Sequence, residues 1–147
     1  MKLSLNFTLE ELTFSQTATR LGIDNTPGPD VIENLRRIAQ LLERVRVLVG
    51  GPIVVSSGYR SPALNAAVGG AQDPPSAHTL GLAADITTPR MTPKALAILI
   101  RDSGIEFDQV IHEGTWVHIG LRAGQLRRQV LTAQFNGGRA TYTEGVA

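Results

Sequence analysis

Residues 107–122 read FDQVIHEGTWVHIGLR and decide the kind of fold that the chain can adopt. Two runs of β-branched and aromatic residues flank a central glycine. This pattern predicts two antiparallel strands joined by a tight turn, with Gly114 as the first turn residue. The stretch therefore predicts an antiparallel sheet in the second half of the chain.

The sequence on either side predicts further strands and the helices that cover them. Apolar residues recur at three- and four-residue steps from Val31 to Leu48 and predict one long amphipathic helix, stopped by the glycines at 50 and 51. Thr92 followed by Pro93 predicts the start of another helix. Further strands are predicted at PIVVSS (52–57), LAADIT (82–87) and RQVLTAQF (128–135), and short helices within 7–22 and 61–70. This order predicts an α+β fold, a small antiparallel sheet with helices packed on it.

Length and composition predict one globular domain. The chain has 147 residues, of which 42% are hydrophobic and 18% charged, enough to bury a core. We expect a single domain over residues 1–147, with its core in about 5–121 and a final strand and loose tail in 122–147. The net charge of +1 argues against nucleic acid as the main partner. Without cysteine, a metal would have to be held by His, Asp, Glu or water.

Neither a membrane span nor a targeting segment is predicted. The most apolar windows, such as ALAILI, are too short to cross a bilayer. The first 18 residues lack the apolar centre of a signal peptide. We therefore expect a protein that is cytoplasmic when it is made, and we expect it to be a monomer.

Two of the three histidines have a carboxylate placed near them. His78 precedes Asp85 by seven residues in an apolar segment. Because side chains alternate across a strand, Glu113 and His118 share one face of the predicted hairpin, while His112 points to the other. His78, Asp85 and His118 make a three-ligand zinc set with a fourth position for water. Glu113 is then a candidate base. The competing interpretation is packing, with a polar histidine in a loop and an aspartate that caps a turn.

Three motifs follow one another along the chain: SGYRSPALNAAVGG (57–70), SAHTLGLAADI (76–86) and FDQVIHEGTWVHIGL (107–121). Together they resemble the D-Ala-D-Ala carboxypeptidase-like zinc peptidases, in particular their small phage-associated branch. With FTLEELTFSQTATRLGIDNTP (7–27) and the long helix, the resemblance covers about residues 5–121. It implies a central site with one Zn²⁺, held by His78, Asp85 and His118, and peptidoglycan stem peptides as substrates.

The resemblance also implies that Glu113 is the catalytic base, although this position departs from the family pattern. Other branches have the acidic residue three positions before the last histidine, where this chain has Thr115. If Glu113 is not the base, Asp108 is the next carboxylate to consider. If Glu113 instead binds zinc as a fourth ligand, the site is closed and a non-catalytic protein is indicated.

Residues of the first two motifs are implied to bind substrate. Arg60 would act both in catalysis and in binding, because a guanidinium can polarise the scissile carbonyl or hold a carboxylate. Ser76 would help to bind substrate near the metal. Tyr59 is a candidate substrate-binding residue that could equally shape the loop, as could Asn65.

The implied reaction is hydrolysis of a bond that involves a D-amino acid, either at the C-terminal D-Ala or between L-Ala and D-Glu. The sequence does not distinguish the two. The alternative is a non-catalytic zinc-binding structural or wall-binding module, for example one associated with a virion; the presence of Glu113 favours the enzyme. Lysis or carriage on a phage particle would bring the protein to the wall, and a cytoplasmic recycling enzyme fits the sequence as well.

Overall fold

The computed structural model describes residues 1–137 and 139–147 and has five α-helices and six strands. The helices are α1 (Leu9–Thr13), α2 (Gln16–Leu21), α3 (Pro29–Val49), α4 (Pro62–Ala67) and α5 (Pro93–Arg101). The strands are β1 (Val54–Ser57), β2 (Ala83–Thr87), β3 (Gln109–His112), β4 (Val117–Gly120), β5 (Gln129–Asn136) and β6 (Arg139–Glu144). A short 3₁₀ helix spans Ala77–Leu80. The predicted α+β class is confirmed.

Each of the two longest helices has one end at a predicted signal. Helix α3 ends at Gly50, whose φ of 73° lets its N–H donate to the carbonyl of Arg46. Helix α5 begins at Thr92, whose hydroxyl accepts the N–H of Ala95. In 7–22, where one short helix was expected, there are two, because Thr8 and Ser15 each cap a helix of their own. No helix in the described ranges is long and apolar enough to cross a bilayer.

The sheet has the strand order β1-β2-β4-β3-β5-β6. All neighbours are antiparallel except β3 and β5, which run parallel. The predicted hairpin is β3 and β4, with Ile111 opposite His118 and the N–H of Glu113 donating to the carbonyl of Trp116 at 3.0 Å. Gly114 has a φ of 78°, as its place in the turn requires.

The expected loose tail is wrong in part, because residues 139–144 form strand β6. This strand pairs with β5 from Leu131 opposite Glu144 to Asn136 opposite Arg139. A buried Val146 follows it, and Arg101 donates to the carbonyl of Val146 at 2.9 Å. Strand β6 lies at the edge of the sheet and is largely exposed, so it lacks the apolar alternation by which a strand is recognised.

The two faces of the sheet have different surroundings. One face packs on α3 and α5 and carries much of the core, including Ala84, Ile86, Val110, Val117 and Ile119. The register aligns four residues of the other face in one row across β2, β4, β3 and β5: Asp85, His118, Ile111 and Leu131. Residues in one row point to the same side. The core therefore fixes one face, and the other is left to form a cleft.

Candidate metal centre and active site

Three buried polar side chains converge on this second face. His78, Asp85 and His118 are 2%, 4% and 8% exposed. Asp85 Oδ1 lies 3.2 Å from His78 Nε2 and 3.2 Å from His118 Nδ1. One nitrogen or oxygen from each residue lies within 4.8 Å of the others, so the three could hold a metal ion. The structure thus brings together the predicted ligand set, which we call the triad.

The triad is positioned by the sheet and by one turn of 3₁₀ helix. Asp85 and His118 are direct neighbours on β2 and β4. His78 lies in the 3₁₀ helix, which begins at Ser76 and ends at Gly81 in the left-handed region. The Ser76 hydroxyl accepts the N–H of His78 at 3.3 Å and also lines the cleft. Ser76 therefore orients a triad residue besides facing the space where a substrate would lie.

A backbone carbonyl sets the tautomer of His78. His78 Nδ1 lies 2.7 Å from the carbonyl oxygen of Gly58. A carbonyl oxygen can only accept a hydrogen bond, so Nδ1 carries the proton and, in the neutral ring, Nε2 carries a lone pair. Burial lowers the pKa of His78, which favours that neutral ring near pH 7. The lone pair of Nε2 then faces Asp85 Oδ1.

The carboxyl of Asp85 is ionised. Burial by itself raises its pKa, but the neighbouring His78 and His118, through charge and hydrogen bonds, lower it by more, to well below its usual range. A lone pair and a carboxylate oxygen 3.2 Å apart repel each other unless a cation, either a proton or a metal ion, lies between them. A neutral imidazole oriented by a carbonyl, beside an ionised carboxylate, is a donor set typical of zinc. The residues present therefore fit the metal.

Gly58 orients a triad residue but is not among the site residues predicted from the sequence. A Cβ at this position would collide with the backbone carbonyl of Leu12. Tyr59, the next residue, donates its N–H to that same carbonyl at 2.8 Å. Only a glycine lets the chain pass so close to the end of α1 with its own carbonyl directed at His78. Its place in the SGYRSP motif was a signal, but the contact with Leu12 is not visible in sequence.

Glu113 lies in the same cleft, held by an indole. Trp116 Nε1 donates to Glu113 Oε2 at 2.7 Å. Burial raises the pKa of Glu113; the charge of Asp85 also raises it, while His118 acts in the opposite direction. Among the described residues, only the triad places its ligand atoms close enough together to hold a metal ion, and Glu113 is not part of that group. The carboxylate thus lies near the triad, with a perturbed pKa.

Arg60 lies beside the triad and is oriented by three acceptors. Its Nε donates to Ser57 Oγ at 3.2 Å, and its two terminal nitrogens donate to Asn65 Oδ1 and Asp85 Oδ2, each at 3.4 Å. Asn65 is buried and donates to the carbonyl of Ala71 at 2.8 Å. Asn65 therefore shapes the loop and positions the guanidinium.

The remaining candidates lie elsewhere. Tyr59 is 7% exposed and belongs to the hydrophobic core, which supports a role in shaping the loop rather than contact with substrate. His112 is paired with Val117, on the face away from the triad. Asp108, the alternative carboxylate, is buried in an ion pair with Arg127 and does not line the cleft.

The cleft over the triad has a volume of about 520 Å³ and extends further than the predicted residues. On one side it is lined by residues of β5 and β6, among them Leu131, Phe135 and Tyr142. On the other side it adjoins a depression of about 680 Å³. That depression is bordered by β1 and the segment before α2, and shares Arg60, Asp85 and Trp116 with the cleft. The cleft and the depression together form a groove that runs past the triad.

Comparison with known proteins gives the family. No curated protein sequence matches the chain. The model of the family described as Peptidase M15, whose members are zinc-dependent peptidases, matches residues 5–120. That range contains the triad, Glu113 and Arg60, and it covers most of the chain. The protein belongs to the peptidase M15 family and is a metallopeptidase by that membership.

Proposed function

We propose that the protein is a zinc peptidase that hydrolyses the stem peptides of peptidoglycan, with residues 1–147 acting as one domain. The observation that carries the proposal is the convergence of His78, Asp85 and His118, whose ligand atoms lie within 4.8 Å of one another, in a cleft that Glu113 also lines. His78, Asp85 and His118 are the proposed zinc ligands. Bound zinc would supply a Lewis acid that acidifies water and polarises a carbonyl.

Glu113 is the proposed general base. A carboxyl whose pKa is raised towards neutrality exchanges protons more effectively near pH 7 than an ordinary one. In our proposal Glu113 takes a proton from the attacking water and passes it to the leaving amine. The hydrogen bond from Trp116 keeps one of its oxygens in place and leaves the other for this proton.

Arg60 is the proposed partner of the substrate oxygen. A guanidinium has five N–H donors, and the contacts to Ser57, Asn65 and Asp85 require three of them. The other two can donate to the oxygen on which negative charge develops. Ser76, at the same edge of the cleft, is a further candidate for substrate contact.

The shape of the groove favours an endopeptidase over a carboxypeptidase. A carboxypeptidase needs room for a peptide on one side of the scissile bond and a closed end on the other. Here the groove continues past Arg60 and Trp116 on both sides of the triad. Cleavage between L-Ala and D-Glu, an internal bond of the wall peptide, agrees with this shape.

Mass spectrometry of defined muropeptides incubated with the zinc-loaded protein tests the proposal. We expect products cut between L-Ala and D-Glu, and none with the Glu113→Gln variant. Release of D-Ala alone would make the protein a carboxypeptidase. Zinc binding at the triad without any cleavage would favour a non-catalytic wall-binding module, the alternative considered from the sequence.

A further inference from the structure

Strands β5 and β6, here called the C-terminal strand pair, form a wall of the cleft although they lie beyond the residues matched by the family. Strand β5 extends the sheet from β3, so its odd-numbered residues face the same side as the triad. Four residues of the pair line the cleft: Leu131, Phe135, Ala140 and Tyr142. This part of the site is therefore a feature of the chain that the family match does not describe.

Two aromatic rings on this wall are exposed. Phe135 is 55% and Tyr142 53% exposed. A Cβ built on Gly114 would lie 4.0 Å from Phe135 Cε2, so the ring stands over the turn next to Glu113. Tyr142 lines the same cleft as Glu113 and Asp85, and partial burial together with the charges of these two carboxylates raises the pKa of its phenol. Exposed rings so close to the triad have no role in the core.

The wall is also uncharged where it meets the cleft. Among the described side chains, the C-terminal strand pair contributes to the cleft only apolar groups and one phenol. A stem peptide has two unlike ends. One end is joined through a lactyl group to an uncharged N-acetylated sugar, and the other carries the carboxylates of D-Glu and of the residues after it. The wall matches the sugar end, because a sugar ring has an apolar C–H face and hydroxyl groups.

The spacing agrees with this assignment. Strands β5 and β6 lie two and three strands from β4, which is about 10 and 14 Å at the usual spacing within a sheet. In cleavage after L-Ala, one residue and the lactyl group separate the scissile bond from the sugar, about 7 Å when extended. A sugar ring beyond that point reaches the wall.

We infer that the C-terminal strand pair is a saccharide subsite in which Phe135 and Tyr142 bind the muramyl sugar of the substrate. This inference rests on the proposed function. It makes glycan-linked stem peptides the preferred substrates and gives both residues a role in specificity.

The test compares two substrates on three proteins. One substrate is a muramyl peptide that contains the L-Ala–D-Glu bond, and the other is the same peptide with an acetyl group in place of the sugar. The proteins are the parent, Phe135→Ala and Tyr142→Ala. We expect each variant to raise KM for the muramyl peptide by roughly three- to tenfold, with kcat unchanged and KM for the acetyl peptide within twofold of the parent.

Thr141→Ala is the matched control, because Thr141 is exposed on β6 between two cleft-lining residues and does not line the cleft. It should leave both KM values unchanged, and equal melting temperatures would show that the variants are folded. An equal rise of KM for both substrates would show that the wall binds peptide, and unchanged KM values would show that it binds neither part; both results overturn the inference. A parent protein that cleaves neither substrate would instead contradict the proposed function.

Discussion

Asp85 and Asp108 are both carboxylates that are 4% exposed, but their partners differ in kind. Asp108 accepts from Arg127 at 2.7 and 3.0 Å and from the backbone N–H of the same residue at 3.1 Å, and Arg122 lies 3.7 Å away. Asp85 has one guanidinium at 3.4 Å and two imidazoles at 3.2 Å. Asp108 therefore contacts side chains that are always positively charged, whereas Asp85 contacts mainly imidazoles, which can lose their charge.

The difference separates structure from chemistry. The charge of Asp108 is balanced within the chain, and the ion pair ties the segment before β5 to the start of β3. The charge of Asp85 is balanced differently, by one guanidinium at the longer distance of 3.4 Å and by two imidazoles that carry charge only when protonated. Burial of a carboxylate does not by itself indicate a site; partners that leave room for a cation do.

The largest expected effect is a loss of zinc affinity when a residue of the triad around Asp85 is removed. His78→Ala removes a proposed ligand, and its zinc affinity should fall by more than the roughly 10–100-fold typical for loss of a group that only orients a ligand. Activity should fall with it. Elemental analysis after dialysis measures the zinc content. His112→Ala is the control and should keep its zinc, because His112 faces away from the triad.

A smaller effect is expected for Glu113→Gln, which keeps the hydrogen bond from Trp116 but cannot take up a proton. Its zinc content should stay at the parent level while kcat falls by about 10²–10⁴-fold. In the parent, the raised pKa of Glu113 means that activity is lost as the pH falls through it. The variant's residual activity should lack this acid limb. Near-parent activity would exclude Glu113 as the base, and loss of zinc would make it a ligand.

Asp108→Asn should change stability without changing the metal. Burial raises the pKa of Asp108, but Arg127 and Arg122 lower it by more. Its ionised form therefore stabilises the fold above the unfolded carboxyl pKa of about 3.9, and this is lost as the pH falls through the lowered value. We expect the variant to lose about 1.5–3 kcal/mol at pH 7 in denaturant titrations, and to retain zinc. An equal loss of zinc would remove the distinction between the two aspartates.

The smallest effect on the fold is expected when the metal is chelated. The core packs on the face of the sheet away from the triad, so it does not need the ion. A chelator should abolish activity and leave the far-ultraviolet circular dichroism within about a tenth of its starting signal, unlike zinc fingers, which unfold without metal. Complete loss of the signal would show that the triad supports the fold as well.

The parts of the fold and the site that could be predicted are those set by local pattern. The alternation around Gly114 placed Glu113 and His118 on one face, because a tight hairpin fixes its own register. The three- and four-residue spacing of apolar residues in α3 likewise predicted which face of this helix is buried. In contrast, nothing in the spacing of His78 and Asp85 showed that His78 would reach β2 and β4; that convergence was carried by the resemblance.

What could not be predicted depends on contacts between distant segments. The carbonyl of Gly58 is aimed at His78 because α1 approaches from one side, and neither segment indicates this alone. Strand β6 was missed because a polar edge strand has no periodic apolar signal. As a result, the aromatic wall of the cleft was missing from the predicted site.

The strand order also determines when each part of the site exists during synthesis. The strands that carry Asp85 and His118 are central in the sheet and are complete once residue 120 has been made, whereas the wall requires residues 129–144. At usual translation rates, synthesis of the last part of the chain takes roughly 1–5 s. Synthesis therefore completes the strands of the triad before it reaches those of the aromatic wall.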